Sequence, residues 1–415
     1  VVRNAARDFS VGSGDVATST EHDRDFHYAG SRISGVLTAV ADLIPADAHD
    51  VDQRRAAAAR AATLPMPTAE QEVWRYSRIG ELDLASRRPG RVETTVEGAD
   101  QLPAADPAAV AALVADLSVH DVFDELSAAL HQTVAIQVPA GKVVAEPIVV
   151  THRVVGNGTV SFPRLVVIAG ADSEFTVVER FESEAGCTAV VVPRLRLHAG
   201  QAARVRYLAV NLLDTATWQL GHQQATGERD SSTLLATVAL GGDYARVRTD
   251  ARLDGQGATT RQIALYYADG SQMHDFRTLQ DHASPKSNSD LLFKGAVQDS
   301  AKSVYTGLIR IRDEAKGSAA FQTNRNLTLS EGAWAESVPN LDIRTNDVKC
   351  SHASTVGPID DEQRYYLESR GIPPQVAERL VVLGFFDDVL SQLPVGPLRD
   401  ELRARVAAKL EGGRS

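Results

Sequence analysis

Cysteine is nearly absent from this chain: its 415 residues hold only Cys187 and Cys350, too few for a disulfide framework. Both thiols are expected to be free, in a reducing, cytoplasmic setting. Aromatic residues are scarce at 6%, so the apolar content rests on Val, Leu and Ala. Positive charge is not in excess either. A formal net charge of -11 disfavours nucleic-acid binding and docking on anionic membranes, both of which need a basic footprint. No apolar run approaches the ~20 residues of a membrane span, and the charged first ten residues lack the apolar core of a signal peptide.

Several catalytic signatures are also missing. Gly295-Ala-Val-Gln-Asp-Ser-Ala-Lys-Ser303 approaches a phosphate-binding loop but lacks its second glycine and has its lysine one place late, so no nucleotide cradle is specified. Gly12-Ser-Gly-Asp-Val-Ala17 follows no strand and is discounted as a dinucleotide fingerprint. There is no His-Glu-x-x-His helix, no Gly-x-Ser-x-Gly elbow and no Cys-x-x-Cys pair.

What is present is a change of period along the chain. Two or three domains are expected, at roughly 150 residues each. Residues 1–33 are rich in Gly, Ser, Asp and Thr without apolar periodicity and read as a flexible arm. Residues 34–132 read as helical: Ser34–Ile44, Asp52–Ala62 with Leu64-Pro65 as its stop, and a run from Ala108 to Leu130. From Thr133 to Val356 the segments are short, β-branched and alternating, as in Val134–Val138, Arg164–Ile168, Glu174–Val178 and Arg204–Leu208. Turn signals recur at Ala169–Asp172, His198–Ala202, Leu240–Asp243 and Leu253–Gly257. Such a rhythm fits a β-solenoid, a large sandwich or a barrel; its length and imperfect repetition favour the solenoid. Residues 357–415 turn helical again, with segments at Asp360–Arg370, Pro373–Leu383 and Pro397–Leu410. Helices on both sides of the β-region are expected to shield the terminal rungs.

Candidate chemistry is concentrated in Asn346-Asp-Val-Lys-Cys-Ser-His352. On a strand, Cys350 and His352 project from one face, roughly 6.5–7 Å apart. Both are competent metal ligands, but a zinc or iron–sulfur site usually needs about four, so any site would draw on residues elsewhere, including another chain. The plainer reading is a packed thiol beside a surface histidine. His274-Asp-Phe-Arg-Thr-Leu-Gln-Asp-His282 gathers histidines and acids that would serve a general base if a nucleophile lay near; polar strand ends explain it as well. Phe321–Asn326 is polar inside the alternating β-region, which an Asn/Gln ladder between rungs explains about as well as an active site does, and Cys187 reads as a small core residue. Asp360, Asp361 and Glu362 suit a helix N-terminus. Leu380, Leu383, Phe385, Phe386 and Leu390 form either a partner-docking face or the core of a helical subdomain.

Taken in order, a series of motifs resembles the SufB/SufD family of iron–sulfur cluster assembly proteins. They are Leu64-Pro-Met-Pro with Glu72-Val-Trp-Arg-Tyr76, Asp275-Phe-Arg-Thr, Ser289-Asp-Leu-Leu-Phe-Lys-Gly295, Gly307-Leu-Ile-Arg310, Gln322-Thr-Asn-Arg-Asn-Leu327, the Cys350–His352 stretch and Tyr365-Tyr-Leu-Glu-Ser-Arg-Gly-Ile372. The resemblance runs from about Leu64 to Leu410. Within the family the chain is more similar to the SufD branch, since Cys187 does not match the context of the sulfur-accepting cysteine of the SufB branch. The resemblance implies a mainly β protein: a right-handed parallel β-helix core with α-helical N-terminal and C-terminal regions. It implies a non-enzymatic scaffold that pairs with a SufB-like subunit and binds a SufC-like ABC ATPase, which would carry the missing nucleotide site. A homodimer is expected when the chain is isolated. His352, with Cys350 beside it, would hold iron of a transient iron–sulfur cluster at the subunit interface, and the helices from Pro373 to Leu390 would dock the ATPase. Two rivals are a stand-alone β-helical enzyme acting on a polysaccharide through acids and His274 or His282, and a metal-free structural subunit.

Overall fold

In a computed structural model, residues 43–44, 50–115 and 121–412 are described. The expected arm over residues 1–33, and the first helical segment apart from Leu43 and Ile44, lie outside them. The β-branched segments coil into a β-solenoid of about eight turns. Two facing sheets result, one of 11 and one of 9 strands, and from Arg204 onward successive strands alternate between them. The first sheet ends Trp218–Gly227, Tyr244–Leu253, Met273–His282, Lys302–Ile311 and Trp334–Ile343. The second ends Arg204–Leu212, Ser232–Ala239, Thr259–Ala268, Asn288–Val297, Ser318–Thr328 and Val348–Gly357. Neighbours pair in parallel, with register partners such as Arg246 and Asp275 separated by 29 residues. The exception is Val92–Glu97, which starts the second sheet antiparallel to Ile148–Val154, so the N-terminal region is not wholly helical.

One corner of the coil is built from a repeated left-handed residue. Asp172, Ala202, Asp230, Gly257, Lys286 and Gly317 all have φ between 56° and 75°, and each stands one or two places before a strand of the second sheet. The amide of each donates to a carbonyl on the next rung: Asp172 to Gln201, Ala202 to Arg229, Asp230 to Gln256, Gly257 to Pro285, Lys286 to Lys316 and Gly317 to Asp347. Asp and Gly tolerate this conformation readily, which is why Ala169–Asp172, His198–Ala202 and Leu253–Gly257 read as turns. Leu240–Asp243 lies at the opposite end of the rungs.

Alternation sends every second side chain between the sheets. The early rungs fill that space with Val167, Val177, Leu197 and Val205, and the middle ones with Tyr266, Phe276, Leu291, Phe293 and Tyr305. The outward residues of the second sheet are also apolar. Val210, Val238, Ile263, Leu265 and Tyr267 are buried beneath the C-terminal helices Pro374–Leu390 and Gly396–Gly412. The N-terminal region covers the outer face of the first sheet through Trp74, Phe123 and Leu126 against Trp218, Leu220 and Tyr244. The helices therefore cover the broad faces of the solenoid rather than its terminal rungs, a correction to the expected arrangement: an apolar face larger than one edge strand has the stronger demand for cover. The run from Ala108 divides into Pro107–Ala115 and Val122–Leu130. Asp121 caps the second piece by accepting from the amides of Phe123 and Asp124.

Close packing explains the glycine that ends the motif Phe293-Lys-Gly295. A Cβ at Gly295 would collide with the ring of Tyr266 on the preceding rung. Through that gap the Tyr266 hydroxyl reaches two rungs onward, donating to Asn326 Oδ1 at 2.6 Å and accepting from Asn324 Nδ2 at 3.0 Å. Gly295→Ala is expected to cost about 1–3 kcal/mol by overpacking. Gly396→Ala, with open space around it, should cost far less. Denaturant midpoints of the two variants check this.

Candidate functional site

Cys350 and His352 lie on Val348–Gly357, the last strand of the second sheet, as register partners of Ala320 and Gln322. The facing last strand of the first sheet is Trp334–Ile343, bonded on one side to Lys302–Ile311. Neither terminal strand has a second neighbour among the described residues, so the last rung offers two open edges. Its interior is open as well: Leu341 and Ile343, register partners of the fully buried Ile309 and Ile311, are 41% and 40% exposed.

The expected common face holds, but the two side chains meet different surroundings. Val348 and Cys350 pack against Ile309, Ile311, Ala315 and Ala320, and burial pushes the Cys350 thiol up from its ordinary range. His352 is exposed and has no hydrogen-bond or ion-pair partner among the described residues. No third His, Cys, Asp or Glu joins them: the described residues contain no group of three or more that could hold a metal ion. What stands here is a thiol and an imidazole, both chemically able to bind a metal, on an open edge.

The C-terminal residues expected to form either a docking face or a helical core separate into three groups. Phe386 and Leu390 are buried against the second sheet, together with Val382 and Val389; they are available to position a docking helix but not to touch a partner. Leu383 and Phe385 pack partly against the same cluster, and Leu380 is 44% exposed. Lys294 fixes this helix: its Nζ donates to the Phe385 carbonyl at 2.8 Å, pairs with Asp388 and lies 4.6 Å from the centre of the Phe385 ring. Between helix and last rungs runs a groove of about 1170 Å³, with Leu380, Phe385, Tyr366, Val356 and Arg325 in its wall.

His274 and Asp275 point to opposite faces, so they do not orient one another. His274 is fully buried, with Nε2 3.2 Å from the Gly241 carbonyl, and burial with nearby Lys409 lowers its pKa to about 3. His282 is enclosed between the hydroxyls of Ser287 and Ser289, each at 2.8 Å, and burial lowers it to about 4. Both are neutral and out of reach of solvent. Cys187 is 3% exposed among Val154, Phe181 and Val191, a core thiol. The expected ladder at Phe321–Asn326 takes another form: Asn324 and Asn326 bond each other and Tyr266.

A clasp that sequence reasoning missed explains why two distant motifs occur together. Asp275 is fully buried on the outer face of the first sheet. It accepts from Arg246 at 2.7 Å, Arg277 at 2.8 Å and the Tyr244 hydroxyl at 2.9 Å. Burial alone would raise its pKa; Arg246 and Arg277 outweigh that and hold it below the usual carboxylate range. Beyond Asp275, Arg246 reaches the Val73 carbonyl and Arg277 the Arg75 carbonyl, and Arg246 lies 4.1 Å from the centre of the Trp74 ring. The motif Glu72-Val-Trp-Arg-Tyr76 is thereby tied to Asp275-Phe-Arg-Thr. A concavity of about 590 Å³ beside it contains Arg248 and Arg310, but Asp250 and Asp342 neutralise them.

Comparison with known proteins agrees with the motifs. The family model described as the SUF system FeS cluster assembly, SufBD core domain matches residues 152–385. An iron–sulfur cluster assembly SufBD family protein of Mycobacterium tuberculosis is 33% identical over 371 residues, 83% of this chain and 90% of the relative. The iron–sulfur cluster assembly protein SufD of Escherichia coli is 30% identical over 300 residues, 71% of this chain and 70% of its own length. SufD of Bacillus subtilis is 31% identical over 280 residues, covering 66% and 64%. The chain belongs to the SufBD family of the SUF iron–sulfur cluster assembly system.

The contrast between its two thiols is directly measurable. Iodoacetamide should label Cys350 slowly at neutral pH and faster as the pH rises past the ordinary thiol range of about 8.5. Cys187 should stay unlabelled until the chain unfolds. Mass spectrometry of the alkylated protein distinguishes the two sites.

Proposed function

We propose that the chain is a non-catalytic scaffold subunit on which an iron–sulfur cluster is assembled, with His352 and Cys350 supplying ligands at an interface with a SufB-like subunit. One observation carries this reading: the two ligands sit on the last rung, where both sheets present open edges and the solenoid interior is uncovered. An unpaired strand edge is a ready template for pairing with another chain, so a partner docking there would bring its own groups to Cys350 and His352. That answers the shortage of ligands within this chain.

The roles of the two residues differ in kind. A neutral imidazole binds iron through one ring nitrogen, and His352 is exposed enough to offer it. The Cys350 thiol is protonated until iron or sulfur arrives, and binding would displace that proton. The cluster is cargo rather than a resident cofactor, and an incomplete, exposed ligand set suits release. The groove beside Leu380 and Phe385 is the surface assigned to a SufC-like ABC ATPase, whose nucleotide cycle would act on the interface. A polysaccharide-cleaving enzyme is disfavoured by the burial of His274 and His282, which no glycan could reach.

The test is composition of the copurified complex, in the cytoplasm of an expressing cell. His352→Ala is expected to lower bound iron and sulfide by several-fold, and Cys350→Ala to lower them less. Cluster content unchanged in both variants would remove these residues from the site.

A further inference from the structure

Beneath His352 lies a polar group with nothing to do. Gln322 is its ladder partner on the preceding rung, and neighbouring strands lie about 4.8 Å apart with partner side chains on one face. Gln322 is 2% exposed, yet neither its Oε1 nor its Nε2 has a hydrogen-bond partner. An unpaired buried amide is costly because its lost water bonds are not replaced, a cost that in a native core calls for a reason. The chain makes room for it. A Cβ on Gly307, across the interior, would collide with the Gln322 carboxamide and the Tyr305 hydroxyl. One rung above Tyr305, the Ser337 hydroxyl is likewise unpartnered.

We propose that Gln322 is the positioning residue for His352. When one nitrogen of the imidazole binds iron, the other carries a proton, and metal-bound histidines almost always donate that N–H to an acceptor that fixes ring and tautomer. Gln322 Oε1 is an unused acceptor on the neighbouring rung, on the same face. Gln262 and Gln280 also have unpartnered amides, but closed rungs flank both. Of the three, Gln322 is the one beside an exposed ligand. The motifs Gly307-Leu-Ile-Arg310 and Gln322-Thr-Asn-Arg-Asn-Leu327 thus converge under the Cys350–His352 stretch: the glycine clears space, the glutamine waits in it, and the histidine stands above.

This inference rests on the proposed ligand role of His352, and its test separates the two. The copurified complex is prepared with Gln322→Leu, Gln322→Met, Gln322→Glu or His352→Ala, and iron retention is followed after challenge with a ferrous chelator, alongside the melting temperature. Leu and Met remove the acceptor and the unpaired amide together. They should keep or raise the melting temperature while weakening iron retention ~10-fold or more; Glu, which keeps an acceptor oxygen, should restore most of it. Retention at the parent level in Leu and Met, with loss in His352→Ala, would overturn the role of Gln322 and leave His352 standing. A lowered melting temperature in both Leu and Met would also overturn it, by making the amide structural. Full retention in His352→Ala would overturn the ligand reading, and this one with it.

Discussion

Everything in this molecule depends on the parallel register between successive rungs. The side-chain period of a strand is two, so a slip of one residue would turn each inward column outward. Held in register by backbone bonds along the sheets and by the stacked left-handed corner from Asp172 to Gly317, the rungs align side chains that lie about one turn apart in sequence. Tyr266 can then pass over Gly295 to Asn324 and Asn326, and Arg246 and Arg277 can share Asp275. The apolar outer column of Ile263, Leu265 and Tyr267 follows from the same alignment, and it fixes where the C-terminal helices must lie.

A repeating coil has no internal reason to stop, and its last rung inherits the consequences. Residues at inward positions, such as Leu341 and Ile343, lose the cover that Ile309 and Ile311 enjoy one turn earlier. Exposed edges are a hazard that proteins usually blunt. Here the open edge carries the one thiol–imidazole pair on the strand, so the same exposure gives access. The C-terminal helices stabilise the broad face instead, clamped by Lys294 to Phe385 and Asp388 and by Lys409 to Asp269 at 2.6 Å. On the proposed reading, stability and function fall on different surfaces of one coil.

Much of this was legible in the chain. Alternation identified the strands, the Gly- and Asp-containing turns marked the corner, and Asp360 and Pro373 marked helix starts close to Asp361 and Pro374. Cys350 and His352 were legible because strand period alone sets their common face. Other features depend on contacts between rungs that a linear pattern does not carry. Nothing local separates the buried Phe386 from the exposed Leu380 in a helix apolar on several sides. The polar stretch Phe321–Asn326 read as a ladder because Tyr266, its actual partner, is about 60 residues away. Asp275 looked like part of a His-Asp pair until alternation sent it outward to Arg246. Gln322 gave no sign of its isolation, since an unpaired amide is a property of what surrounds it.

The central claim is that His352 ligates the assembled cluster, and pulsed EPR tests it most directly. The copurified complex would be prepared with ¹⁵N-histidine in this chain alone, and its cluster reduced to a paramagnetic state. A strong ¹⁵N hyperfine coupling that disappears in His352→Ala is the predicted result. A paramagnetic cluster without that coupling in the parent complex would contradict the account.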